Sequence, residues 1–415
     1  MEFALTKKRT ALVPQYLRQF SCIGSECEDS CCVGWKVEID EQTYKSYNNV
    51  RHSELTPLLK KKVTRNRSNP TNRTYAKIKM EPNGACPFLS QEKLCNIQQK
   101  LGESYLSSTC STYPRISNEV NGVLERSATV SCPEIARLAL LNEQGIEFDE
   151  ISENVDARNI ISKSLNTLGE NSRKIEKYFW ELRIFTIQVL QNREYSLAER
   201  LIFLGMFFQK LEDYVTNQQF NDIPRLIASY SAMFSDNSLR STLENIPHQQ
   251  SIQMALLKEV SDQRFLFSVT SMRYINCYKK MLQGLNFSGD MAMEEIAKNY
   301  IAAYEEHYKP FMDDHEYILE NYLVNHVYKN MFPLSGFPTL FDNYVMLVIH
   351  YSMIKMHLIG IAAFDKELTK DSVIVLLQSF SKTVEHSSLF LKRVYDLLKE
   401  CGYTSMAYMA ILIKN

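Results

Sequence analysis

Hydrophobic residues recur at helical spacing over most of the chain after Cys132, in long segments that Gly and Pro seldom interrupt. In segment 389–400, the apolar residues from Leu391 to Leu398 follow the three-and-four spacing that places side chains on one helix face. Alternating runs typical of strands are scarce in the same part of the chain. We therefore predict a mainly α protein, with helices over residues 175–191, 197–216, 291–307 and 389–400.

The most hydrophobic stretch, residues 341–364, approaches the length that spans a bilayer. It contains Asp342, His350, Lys355 and His357, which are costly in lipid. This composition predicts a buried core helix and no membrane partner. The two histidines are seven residues apart and share a helix face, but no cysteine or carboxylate joins them at ligand spacing. They are interpreted as core histidines.

Composition places the chain in the globular class, since it has 415 residues, of which 45% are hydrophobic and 23% charged. The 47 basic and 48 acidic residues give a net charge of −1, so no global charge attracts nucleic acid or anionic lipid. The first nine residues lack the apolar run of a secretory signal, which indicates a cytoplasmic protein. Neither composition nor pattern determines an oligomeric state.

One local exception to the balanced charge is segment 51–79, which has nine Lys or Arg residues and one acidic residue, Glu54. Such a charge can steer an acidic partner surface, whereas a solvated loop is the simpler interpretation. Nucleic acid is disfavoured as a partner, because Tyr75 is the only aromatic residue in the segment and no binding motif is present.

Eight of the ten cysteines fall between Cys22 and Cys132, and only Cys277 and Cys401 lie beyond them. This clustering predicts a small, cysteine-rich, loop-heavy metal module over residues 1–142, followed by a larger helical domain over 143–415 that docks the substrate. Segment 143–165 has mixed polarity and is interpreted as the connection between them.

The clustered thiols point to metal binding, because disulfides persist mainly in oxidising compartments. Zinc sites commonly use paired Cys-x2-Cys spacings, which are absent, whereas iron–sulfur clusters accept more varied spacings. Cys86-Pro87 and Cys132-Pro133 also fit ferredoxin-type ligation. We predict an iron–sulfur cluster, with zinc and a purely structural metal as alternatives. The candidate ligands are Cys22, Cys27, Cys31, Cys32, Cys86, Cys95, Cys110 and Cys132.

These cysteines also carry a family resemblance over about residues 12–142. The motifs Cys22-x4-Cys27-x3-Cys31-Cys32, Cys-Pro-Phe-Leu, Leu-Cys-Asn-Ile and Cys-x2-Tyr-Pro resemble a zinc- or iron-chelating module shared by several bacterial proteins. The stretches Gly-Ser-Glu-Cys-Glu-Asp-Ser-Cys-Cys, Cys-Ser-Thr-Tyr-Pro-Arg and Ser-Cys-Pro-Glu-Ile-Ala-Arg narrow the resemblance to the flagellin lysine-N-methylase family. The resemblance implies an enzyme that methylates flagellin lysines, uses S-adenosylmethionine and carries a four-iron four-sulfur (4Fe-4S) cluster.

Residue patterns alone do not indicate that methyl donor. No Gly-x-Gly-x-x-Gly follows a predicted strand, and the radical-enzyme spacing Cys-x3-Cys-x2-Cys fails because Gly34 stands where the third cysteine would be. The cluster can bind the donor through an iron without a protein thiolate, or it can be purely structural. The alternative from another class is a non-catalytic zinc- or iron-binding interaction protein.

Three residues beside candidate ligands are possible cofactor contacts: Trp35, Tyr113 and Arg115. They can shield the metal or contact the methyl donor, although packing and salt-bridging within the small domain explain them more simply. The sequence assigns no catalytic residue. Desolvation can itself lower the pKa of a substrate lysine, so the reaction can proceed without a dedicated base.

Overall fold

The computed structural model describes residues 8–154, 160–169, 174–236, 240–244, 246, 248–287 and 291–415. Its strands are β1 (Lys8–Pro14), β2 (Glu38–Ile39), β3 (Val63–Arg65), β4 (Ala76–Ile78), β5 (Arg115–Val120), β6 (Val123–Ala128), β7 (Phe148–Asn154) and β8 (Ile161–Leu165). Residues 1–7, which formed most of the segment tested for a secretory signal, lie outside the described residues.

Helices form most of the described structure, which confirms the mainly α prediction. The helices before residue 200 are α1 (Gln15–Gln19), α2 (Glu41–Asn49), α3 (Leu55–Lys62), α4 (Asn96–Leu101), α5 (Ser108–Thr112), α6 (Pro133–Leu140), α7 (Phe179–Leu190) and α8 (Leu197–Thr216). Those in the middle of the chain are α9 (Ile223–Ser235), α10 (Arg240–Glu244), α11 (Gln250–Gln263), α12 (Met272–Gly284), α13 (Met293–Ala303) and α14 (Lys309–His315). The last are α15 (Tyr317–Asn330), α16 (Leu340–Asp365), α17 (Lys370–Phe380), α18 (Ser388–Glu400) and α19 (Met406–Ile413).

The four predicted helical segments are all confirmed, and α8 has the predicted bounds. Its start is set locally, because the Ser196 hydroxyl accepts the Glu199 backbone N–H while the Glu199 carboxylate accepts the Ser196 N–H. The predicted helix over 291–307 instead ends in a π-helical turn, Tyr304–Tyr308. A second π-helical turn, Ser381–Glu385, follows α17.

Helix α16 runs through the main hydrophobic core, as predicted for a buried helix. Among the described residues it is the one helix long and apolar enough to cross a membrane, and its most hydrophobic 18-residue window is entirely buried. It crosses α12 closely: a Cβ atom on Gly284 would lie 1.9 Å from the carbonyl oxygen of Gly360. Only glycine fits at such a crossing.

His350 and His357 are core residues, as predicted, with 3% and 0% of their surfaces exposed. The Nδ1 atom of His350 donates a hydrogen bond to the Met346 carbonyl at 2.6 Å, and that of His357 donates to the Met353 carbonyl at 2.7 Å. Burial lowers the pKa of both imidazoles, that of His357 to about 4. Burial therefore favours the neutral form of both rings in the folded protein.

We expect the His357→Gln variant to lose part of the acid sensitivity of the wild-type protein. An unfolded histidine titrates near ~6.5, so below that pH the unfolded state binds a proton that the folded state refuses. The free energy of unfolding therefore falls as the pH decreases from ~6.5 towards about 4. Between pH 7 and pH 4.5, the free energy of unfolding measured by denaturant titration should fall by ~2–3 kcal/mol less in the variant than in the wild type. The control is His307→Gln, at a histidine whose side chain is 21% exposed, and it should match wild type. Equal pH dependence in all three proteins would contradict the assignment.

A mixed five-stranded sheet, in the order β7-β1-β6-β5-β8, lies against this helical core. β1 pairs parallel to β6 and antiparallel to β7, while β5 pairs antiparallel to β6 and parallel to β8. The alternating buried positions of β1, Ala11 and Val13, pack against Leu124 of β6. Segment 143–165, predicted to be a connection, thus supplies both edge strands, and its residues 155–159 lie outside the described part.

The N-terminal part contains strands as well as loops, and the sequence did not predict these strands. A second sheet, β2-β4-β3, packs with α2 and α3 around a small hydrophobic core of its own, which includes Ile39, Phe88 and Cys86. The sheet strands were missed because each is short and lacks a long alternating pattern. The division at residues 142 and 143 stays a prediction.

The basic segment 51–79 forms α3, β3 and β4 rather than a loop alone. The ammonium group of Lys62 pairs with the Glu81 carboxylate at 2.5 Å, and the guanidinium of Arg65 lies 4.7 Å from the centroid of the Tyr75 ring. Part of this charge is therefore used within the fold.

Candidate metal centre and adjoining cleft

Five cysteines of the N-terminal part lie close enough for their thiols to interact electrostatically, and we call them the first cysteine group: Cys31, Cys32, Cys86, Cys95 and Cys110. The backbone N–H of Cys86 donates to the Cys32 carbonyl at 2.8 Å, and an isolated β-bridge joins Leu89 to Cys95. Cys110 lies on α5, whose Ser107 cap accepts the Cys110 N–H. Short loops that are distant in sequence therefore bring these residues together.

The pKa values of these thiols reflect their proximity. Desolvation, and then the thiolates of Cys95 and Cys86, raise the pKa of Cys110 to about 12. Desolvation, and then Cys95 and Cys31, raise the pKa of Cys86 to about 11. A hydrogen bond from the Cys32 thiol lowers the pKa of Cys31 to about 7. A bound cation would relieve the repulsion between these thiolates.

The remaining candidates form a second cysteine group: Cys22, Cys27 and Cys132. Cys132 is buried at the N-terminus of α6, and burial raises its pKa to about 11, with further contributions from Cys27 and Cys22. Cys31 also raises the pKa of Cys27, so the two groups adjoin. The eight candidate ligands therefore divide into five and three.

The donor set fits a thiolate-ligated centre in its chemistry and its location. All ten cysteines lie within the described residues and are free thiols. The described side chains nevertheless include no group of three or more His, Cys, Asp or Glu residues already placed to hold one metal ion. The cysteines therefore match a thiolate-ligated metal in chemical type and approximate position, although their side chains do not form a complete set of ligands around one point.

We call residues 22–34 the cysteine loop, and the helical domain packs on it through the segment from Gln378 to His386. The ammonium group of Lys382 pairs with an oxygen of Asp29 at 2.7 Å, and the Gln378 amide donates to the other oxygen at 2.7 Å. The same amide donates at 2.8 Å to the carbonyl of Ser131, which directly precedes Cys132. Asp29, between Cys27 and Cys31, therefore ties the thiols to the helices.

A buried ion pair between Lys329 and Glu385 stabilises this segment on its core side. The Glu385 carboxylate accepts from the Lys329 ammonium at 2.7 Å and from the Tyr322 hydroxyl at 2.5 Å. Burial alone would raise the pKa of Glu385, but the charge of Lys329 holds it well below its usual range. The π-helical turn is therefore anchored in the core on one side and faces the thiols on the other.

An aromatic trio of Trp35, Tyr113 and His386 lies beside both cysteine groups. The Trp35 and Tyr113 ring centroids are 4.7 Å apart, and those of Trp35 and His386 are 6.0 Å apart. The Trp35 indole donates to the Cys31 carbonyl, and the Tyr113 hydroxyl lies 3.2 Å from the Ser131 hydroxyl. Both predicted aromatic residues thus adjoin the thiols, and His386 joins them from the helical domain.

The Arg115 guanidinium lies 4.9 Å from the centroid of the Phe20 ring. The residue lines a cavity beside the five-stranded sheet together with Arg18 and Arg126. Within the described structure, the aromatic ring that Arg115 contacts is thus that of Phe20, and its role at the cofactor stays a prediction.

A cleft of about 280 Å³ opens between the cysteine loop and the helical domain. The loop contributes Glu28, Asp29 and Gly34, and the helical domain contributes Arg264 and Arg273. The position of Asp29 between cysteines was visible in the sequence. The two arginines belong to no sequence motif, because only folding brings them beside Glu28, Asp29 and Gly34.

Residues 183–412 match the family described as FliB lysine N-methylase C-terminal domain. The chain is 23% identical over 399 residues to proteins named Lysine-N-methylase from Salmonella choleraesuis and Salmonella typhimurium, and both alignments cover 94% of this chain and 95% of the relative. It is 31% identical over 145 residues to a Flagellar biosynthetic protein FliU from Salmonella muenchen, which covers 35% of this chain and 85% of the relative. No solved structure matches the chain significantly.

Proposed function

This chain belongs to the FliB lysine N-methylase family, and from that premise we propose that it transfers methyl groups from S-adenosylmethionine to lysine side chains of flagellin. The observation that carries the proposal is the similarity to the two Salmonella Lysine-N-methylases over nearly the full length of both chains. The flagellar name of the third relative supports flagellin as the substrate class. The reaction would take place in the cytoplasm.

The proposal includes a 4Fe-4S cluster held by thiolates of the first cysteine group, with zinc as the alternative metal. That group contributes five thiols from distant parts of the N-terminal sequence, and thiolates are the ligands of such clusters. When bound, the cluster would supply an iron atom able to bind or orient the methyl donor. The chain's own part is to hold the thiols together through Asp29, Lys382 and Gln378.

Methyl transfer forms a bond between the lysine nitrogen and the methyl carbon and breaks the bond between that carbon and sulfur. The sulfonium becomes a neutral thioether, and the lysine nitrogen must first lose a proton. Desolvation favours this loss, and inside this protein burial lowers the pKa of Lys355 to about 7. We propose that the aromatic trio supplies the water-poor surface for the incoming lysine, since aromatic faces attract ammonium groups.

Anaerobic purification followed by metal, sulfide and activity measurements tests this function. We expect iron and sulfide in the protein, and a mass gain of whole methyl groups on lysine peptides after incubation with flagellin and S-adenosylmethionine. Flagellin incubated with the donor alone is the control. Zinc in the protein together with unchanged peptides would instead favour a non-catalytic metal-binding interaction protein.

A further inference from the structure

The cleft beside the cysteine loop has one wall of positive charge without carboxylate partners. The Nε atom of Arg264 donates to the Thr383 carbonyl at 2.8 Å and its Nη1 atom to the Phe267 carbonyl at 3.2 Å. Neither Arg264 nor Arg273 forms an ion pair within the described part of the chain. Arg264 is only 6% exposed, so a buried guanidinium lies at the cleft without a countercharge.

Two buried polar atoms at the same wall also lack partners. The Thr383 hydroxyl has none among the described residues, although the residue lines the cleft and is only 5% exposed. The Nε atom of Arg273 is likewise buried and unpartnered. Buried polar atoms are nearly always satisfied in native proteins, so both atoms point to a ligand that carries hydrogen-bond acceptors.

Helix α12 adds to the positive wall, because its N-terminus is at the cleft. Ser271 caps the helix, and Ser271, Met272 and Arg273 all line the cleft. The first backbone N–H groups of a helix and its dipole favour an anion, and a carboxylate or phosphate suits this position.

The opposite wall carries two carboxylates, those of Glu28 and Asp29 from the cysteine loop. Glu28 pairs with Arg137 at 2.6 Å, and Asp29 pairs at 2.7 Å with Lys382, which also lines the cleft. Carboxylates can accept from several donors at once, so an additional ammonium group fits here. A phosphate would meet repulsion from this wall, whereas a zwitterion complements both walls.

We infer that the cleft binds the α-amino acid head of a ligand, with its carboxylate at Arg264, Arg273 and Thr383 and its ammonium group at Asp29. The inference rests on the proposed function, in which that ligand is the methionine half of the methyl donor. A volume of about 280 Å³ is at the small end for ligand pockets and suits a head group better than a whole nucleoside. Val33 and Gly34, which directly follow Cys31 and Cys32, also line the cleft, so the sulfonium end would lie near the thiols.

The test compares two ligands that differ in this head group, using calorimetry on the full chain purified anaerobically. S-adenosylhomocysteine has the amino acid head, and 5′-methylthioadenosine lacks it. We expect Arg273→Gln to weaken S-adenosylhomocysteine about 10-fold or more, because a charge-assisted hydrogen bond is lost, and to leave methylthioadenosine unchanged. The exposed Arg225→Gln on α9 is the matched control and should bind both ligands as wild type does.

A second variant, Thr383→Val, distinguishes lost ligand binding from lost folding. Its hydroxyl has no partner within the described protein, so the substitution should not lower the free energy of unfolding, yet it should weaken S-adenosylhomocysteine several-fold. Unchanged S-adenosylhomocysteine binding in both variants would overturn the inference and leave the proposed function intact. If the wild-type protein bound neither ligand, S-adenosylmethionine would not be the methyl donor. Both that part of the proposed function and this inference would then be wrong.

Discussion

Replacing Glu125 with Gln is expected to lower the free energy of unfolding by about 3–5 kcal/mol, because it leaves the buried Arg183 charge uncompensated. The two side chains are 1% and 2% exposed. They form a bidentate pair, in which Nη1 and Nη2 of Arg183 donate to separate Glu125 oxygens at 2.7 and 2.6 Å. The effect should appear as a lower denaturant midpoint with an unchanged slope.

The pair has a large expected effect because of its place in the fold. Glu125 is on β6, in the centre of the five-stranded sheet, and Arg183 is on α7 of the helical domain. The guanidinium also lies 4.5 Å from the Trp180 ring centroid and 5.1 Å from that of Tyr328. An unpaired charge here would be enclosed by aromatic side chains and cut off from water.

An exposed pair and a double replacement are the controls. Asp396→Asn breaks the exposed pair with Lys392 and should cost less than ~1 kcal/mol. The double variant Glu125→Leu with Arg183→Met should recover much of the loss, since no buried charge remains. If Glu125→Gln lowered the free energy of unfolding no more than Asp396→Asn does, the buried pair would not stabilise the packing of the sheet on the helices.

The second large effect is expected at the thiols. Alanine at Cys86 or Cys95 should remove most of the iron and lower lysine methylation about 100-fold or more, because each loses a thiolate donor of the proposed cluster. Iron and sulfide per chain, and methyl groups per flagellin, are the quantities to measure. Cys401→Ala is the exposed control and Cys277→Ala the buried one, since both thiols lie outside the two cysteine groups.

The same variants distinguish a catalytic cluster from a structural one. Donor affinity is measured separately from iron content, and binding that disappears whenever iron does would support a cluster that holds the donor. Retained donor binding without iron would end that hypothesis. Cys22→Ala, in the second cysteine group, should lose less iron than Cys86→Ala if the first group holds the cluster.

Only those residues of the candidate site that lie near the cysteines in sequence could be predicted from the sequence. Trp35 and Tyr113 were recognisable because they adjoin cysteines in sequence, and their rings lie 4.7 Å apart in the structure. His386, Arg264 and Thr383 could not be recognised, because nothing in their local sequence marks them. They reach the cysteine loop and Trp35 only through the packing of the helical domain on the N-terminal part.

The sequence by itself determined the helices and the donor chemistry. Helix α8 follows from a periodic apolar pattern and a capping box at Ser196, and both act within a few residues of the chain. The clustered cysteines likewise specify thiolate ligands wherever the fold places them. Family membership followed from the motifs around those cysteines, and the match over residues 183–412 confirmed it.

Only the tertiary structure decided which distant segments meet. Strands β7 and β8 form because β1 and β5 offer free edges, and their own polar sequences do not reveal this. The division of the thiols into five and three, and the charged cleft beside them, also depend on contacts between residues far apart in the chain. Such contacts are set by the shape and burial of the whole core, which no local pattern encodes.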